Sequence, residues 1–110
     1  MLKFSSVIAN YRLEFSGKPV IMPESEIKIK LIVRNKFLSQ KVLSFKWHLP
    51  EGWEATGNKS LMIDAIHCGE FCNEFTIKSN EFTEAKNSLI LEINCEGHHD
   101  CICIPVMLLG

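Results

Sequence analysis

Apolar and polar residues alternate in short runs along this chain, and turn-forming residues separate the runs. Period-two patterning sends successive side chains to opposite faces of an extended backbone, so it predicts half-buried antiparallel strands rather than amphipathic helices. The clearest run is Glu26 to Arg34, where Ile27, Ile29, Leu31 and Val33 share one face and Lys28, Lys30 and Arg34 the other. After a turn at Asn35 and Lys36, a second run from Val42 to Leu49 puts Leu43, Phe45, Trp47 and Leu49 together, opposite Ser44, Lys46 and His48. Pro50-Glu51-Gly52-Trp53 ends that run, because proline pre-sets a turn and glycine supplies backbone freedom. Trp53 is thereby free to fold back as a cap on the core.

Later runs repeat the logic. Leu61 with Ile63, then Phe71, Phe75 and Ile77, then Leu89, Leu91, Ile93 and Cys95 each offer one apolar face. Glu96-Gly97-His98-His99 reads as a hairpin connection, and Cys101 to Leu109 as the returning strand with Ile102, Ile104, Val106 and Leu108 inward. Pro105 cannot donate to a ladder, which predicts that this last strand lies at an edge or bulges there. Upstream, Tyr11, Leu13 and Phe15 alternate as a first strand. The total is about seven antiparallel strands, the number of an immunoglobulin-like β-sandwich, so the expected fold class is all-β.

The length fits one domain spanning residues 1–110, since 110 residues bury a real core but are too few for two. With 46% hydrophobic and 23% charged residues the chain has the composition of a globular protein, not of a disordered tail. Twelve Lys and Arg against 13 Asp and Glu leave a net charge of -1, which supplies no electrostatic footprint for nucleic acid or an anionic membrane. Met1 to Ser6 lacks the continuous apolar run of a signal peptide, and no stretch approaches the length of a transmembrane helix. Five cysteines are an odd number, best read as mostly reduced thiols, and a cytoplasmic location is expected.

Three constellations carry potential chemistry. Cys95, His98, His99, Cys101 and Cys103, with His67, Cys68 and Cys72 earlier, have the ligand types of a tetrahedral zinc site. Their spacing argues the other way: Cys101 and Cys103 share one face of a strand, Cys95 belongs to the inward face of its neighbour, and no cysteine pair has the usual two-residue separation. The expectation is therefore free thiols and no metal or other cofactor, with buried cysteine acting as a small hydrophobe. A Cys95–Cys101 disulfide across the short hairpin is the structural alternative. Cys68 and His67 are neighbours on an extended chain and point apart, so they form no nucleophile pair. Trp47, Trp53 and Tyr11 have flat rings suited to stacking on sugars; Trp47 is in phase with the core, and core packing is the expectation for all three, with Trp53 and Tyr11 kept as the alternative ligand-binding candidates. No catalytic residue is assigned.

The entry Pro23-Glu24-Ser25-Glu26, the strand ending in Val33-Arg34-Asn35, the segment Leu49-Pro50-Glu51-Gly52-Trp53 and the later Phe75-Thr76-Ile77 resemble the immunoglobulin-like accessory domains, of the NPCBM-associated type, appended to bacterial α-galactosidases. Trp47-His48-Leu49-Pro50-Glu51-Gly52-Trp53 with Pro105-Val106-Met107-Leu108-Leu109-Gly110 is also similar to the C-terminal sandwich of some bacterial ADP-ribosylglycohydrolase-like proteins. These resemblances imply a non-catalytic C-terminal module of a larger protein, with the catalytic domain of that protein or another subunit as partner, packed together or oligomerised through this chain. The alternatives are a carbohydrate-binding module with a glycan partner and a metal-binding domain using the C-terminal Cys/His cluster.

Overall fold

A computed structural model of the chain describes residues 2–5, 9–65, 69–97 and 101–110. These residues form nine strands and no helix: β1 (Leu2–Ser5), β2 (Ala9–Phe15), β3 (Glu26–Asn35), β4 (Lys41–His48), β5 (Glu54–Thr56), β6 (Ser60–Ile63), β7 (Phe71–Lys78), β8 (Lys86–Cys95) and β9 (Cys101–Leu109). They pair into a five-stranded sheet of order β1-β2-β3-β7-β5 and a four-stranded sheet of order β6-β4-β8-β9. Every strand pairing is antiparallel. The chain is an immunoglobulin-like β-sandwich.

Alternation decides which face is buried. Ile27, Ile29, Leu31 and Val33 of β3 face Leu89, Leu91 and Ile93 of β8 and Ile104, Val106 and Leu108 of β9 within one core cluster. Each such side chain, taken fully out of water, stabilises the fold by about 1.5–3 kcal/mol. The buried side chains of Asn35, Asn73 and Asn87 among them are hydrogen-bonded. Asn35 donates through Nδ2 to Ser39 O at 2.8 Å and Asp64 O at 3.0 Å, and accepts from Phe37 N–H at 2.9 Å. That one side chain ties the end of β3 to the exit of β6.

Two strands exceed the seven read from the sequence. β1 pairs with β2, and β5 has only three residues, Glu-Ala-Thr, too few to show an alternation. β5 forms because the chain passes very close to β7: at Gly57, with φ of 134°, a Cβ would lie 2.7 Å from Glu74 O. Only glycine holds that approach without a shift.

The aromatic residues also fall differently from the simplest alternation. Trp47 is half-buried rather than fully buried, meeting Phe75 edge-on at 5.4 Å between ring centroids, and its Nε1 has no hydrogen-bond partner among the described residues. Trp53 caps the core as the turn predicts, with its N–H donating to Pro50 O at 3.1 Å and its Nε1 to Phe82 O at 3.4 Å.

Candidate functional site

The two candidate ligand-binding residues are core. Trp53 is 7% exposed and Tyr11 3%, so neither ring has a face left for a sugar. The ligand-binding alternative for both falls away, because the turn that folds Trp53 back and the inward phase of Tyr11 with Leu13 pack the two rings into the core.

The metal candidates divide. Cys95 points inward and is buried, while Cys101 and Cys103 project from the outer face of the second sheet. Cys95 and Cys101 are free thiols, which overturns the alternative of a disulfide between them. The reason is register: Cys101 lies opposite Asn94, so Cys95 belongs to the opposite face of the sheet. Cys72 stands on the outer face of the first sheet, opposite Ile32, far in the topology from the other thiols. His67, Cys68, His98 and His99 lie outside the described residues.

Register also supplies a donor that the sequence pattern did not single out. Glu92 of β8 is directly opposite Cys103, and the sulfurs of Cys101 and Cys103 and a carboxylate oxygen of Glu92 all lie within 4.8 Å of one another. Counting residues back across the hairpin from Cys103 would have found it. The carboxylate is held from two sides: Asn94 Nδ2 donates to Oε2 at 3.1 Å, and His48 Nε2 is 3.5 Å from Oε1. The Asn94 hydrogen bond, opposed by partial desolvation and helped by His48, lowers the Glu92 pKa from its ordinary value. Desolvation, then Cys103 and the Glu92 charge, pushes the Cys101 thiol up. Burial does the same for Cys95.

The other end of the same outer face is apolar. Ile90 is 41% exposed, Met107 48%, Leu109 45% and Val20 40%. Phe15, Pro19, Ile90, Pro105, Val106 and Met107 help to line a groove of about 480 Å³ there. This groove runs beside β9, which is the edge of its sheet. Leu109 donates its N–H to Pro19 O at 2.9 Å and accepts from Ile21 N–H at 2.8 Å, so its polar backbone groups face away from β8. In an antiparallel strand this direction alternates, which turns the backbone groups of Met107, Cys103 and Cys101 outward as well. Among the described residues these have no backbone partner. Pro105 has the same parity, so its missing N–H costs the β8–β9 ladder nothing, and the edge position predicted for it is the one it occupies.

No model of a known protein family matches the sequence, and none of the curated proteins matches it. Solved structures do resemble it. A FixG-related protein from Vibrio parahaemolyticus aligns over 96% of this chain and 98% of its own with a TM-score of 0.77 at 9% identity. The cupredoxin domain of amoB from Nitrosocaldus yellowstonii aligns over 96% and 89%, with a TM-score of 0.67 at 7% identity. The GAE domain of GGA2p from Saccharomyces cerevisiae aligns over 97% of both chains, with a TM-score of 0.55 at 16% identity. At such identities the likeness is one of fold: all three share the sandwich, and nothing in the likeness supports the α-galactosidase association that the sequence suggests.

Proposed function

We propose that this chain is a non-catalytic interaction module, accessory to a larger bacterial protein, which docks a partner polypeptide along β9. The observation that carries this reading is the coincidence of a strand edge left unpaired from Cys101 to Met107 among the described residues with the exposed apolar side chains of Ile90 and Met107. Edge backbone groups offer directional hydrogen bonds, and neighbouring apolar pockets select the side chains that come with an added strand. The occupant is an extended protein segment, from the catalytic domain of the parent protein or from another subunit. An ADP-ribosylglycohydrolase-like parent remains the reading suggested by the resemblance of the Trp47–Trp53 and Pro105–Gly110 segments. Modularity is supported by two of the similar structures, each described as a domain of a named protein. The free thiols of the four described cysteines suit a reducing cytoplasm, where we place the protein.

Site-specific photocrosslinking in the cells that make the protein tests this reading. A photoreactive residue replacing Met107 is expected to give a discrete protein adduct, and one replacing Lys30 on the opposite outer face none. Equal labelling from both positions, or a glycan adduct in native mass spectrometry, overturns it.

A further inference from the structure

The two exposed thiols and the Glu92 carboxylate have a geometry that the docking surface does not use. Cys101 and Cys103 stand two residues apart on one face of β9, a separation near 6.6–6.8 Å between Cα atoms, at the top of the range that a disulfide spans. They are free thiols, and their sulfurs lie close to a third donor from the next strand. Bonds of about 2.3 Å at tetrahedral angles separate two thiolates by roughly 3.8 Å. The observed separations, all within 4.8 Å, exceed that value by no more than about 1 Å. The donors also sit on paired strands rather than on a loop, which fixes their backbone before any ion arrives. Behind the carboxylate, Asn94 and His48 occupy the positions that orient a metal-bound ligand.

We propose that Cys101, Cys103 and Glu92 form a binding site for a thiophilic divalent cation of the zinc class, with the fourth coordination position open to water. Two thiolates select against hard oxygen-seeking ions such as magnesium or calcium, and the carboxylate makes the site one that zinc and cobalt accept. Sequence spacing alone argued against metal because it counted only cysteine and histidine. The third donor is brought in by the pairing of β8 with β9.

Titration of the reduced, chelator-treated chain with Co²⁺, followed by displacement with Zn²⁺, tests the site. One Co²⁺ per chain is expected, with the sulfur-to-metal charge-transfer absorption and the visible bands of tetrahedral cobalt. Cys101→Ser, Cys103→Ser and Glu92→Gln should each weaken binding by at least about tenfold, and His48→Ala by roughly 10–100-fold through loss of carboxylate orientation. Cys72→Ser should leave the titration unchanged. Binding that survives the Cys101→Ser/Cys103→Ser double variant overturns the proposal, as does the absence of a thiolate band in the parent chain. Unweakened binding by Glu92→Gln removes the carboxylate from the site and overturns the three-donor assignment.

Discussion

The outer faces of the two sheets differ far more than their inner faces do. On the five-stranded sheet, Arg12 reaches Glu14 of its own strand at 3.5 Å and Glu70, just before β7, at 3.1 Å, while Lys28 reaches Glu74 at 4.0 Å and joins β3 to β7 by opposite charge. On the four-stranded sheet the described ion pair is His48 with Glu92, and around it stand two thiols, Ile90 and Met107. Inside, both sheets present the same Leu, Ile and Val alternation to one core. A face whose charges are matched by its own neighbours asks nothing of a partner. A face that leaves apolar area, soft donors and a strand edge unmatched is where recognition is built.

Substitutions in the core and on each outer face separate what the two sheets share from what they do not. The largest effect belongs to the shared core: Leu31→Ala in β3 and Leu91→Ala in β8, both fully buried, should each cost about 2–5 kcal/mol in chemical denaturation. A large loss at one position and none at the other would mean that the sheets do not share a core. Next comes the division between the inward and outward thiols of the second sheet. Burial raises the Cys95 pKa, so the folded protein holds that proton longer than the unfolded chain does. The associated stability is complete below the ordinary thiol value of about 8.5 and is lost as pH rises through the window above it. Denaturation midpoints should therefore fall with pH in that window, and Cys95→Ala should flatten the fall. In mass-mapped alkylation of the folded chain at neutral pH, the same burial predicts protection of Cys95 relative to Cys101 and Cys103. The smallest effect is on the charged face: Glu70→Gln removes a partly exposed partner of Arg12 and should cost less than about 1 kcal/mol, less again at high salt. A larger loss there would show that the charged face is structural rather than merely self-matched.

The fold was largely legible because buried strands must alternate. Glu26 to Arg34 and Cys101 to Leu109 declare their inward sides residue by residue, and the structure follows both. What alternation does not encode is where a strand ends relative to its neighbours. Trp47 is in phase with Phe45, yet it sits near the end of β4, beside the short β5, and remains half-exposed. β5 itself is created by a close backbone approach at Gly57, not by its side chains. The candidate site was legible only in part for a related reason. Cys101 and Cys103 are visible as a pair on one face, whereas Glu92 joins them through cross-strand register, a relation between two segments that neither carries alone.

Pro105 has a consequence for assembly. The strand edge that it occupies is a template on which identical chains could stack without limit, as in the growth of a fibril. By deleting one outward donor midway along β9, the proline leaves an incoming strand with an unmet carbonyl at that point. A partner shaped to skip that position is not penalised, while indiscriminate copies of any flat strand are. The same residue that marks the edge thus disfavours the unlimited stacking of identical strands on it.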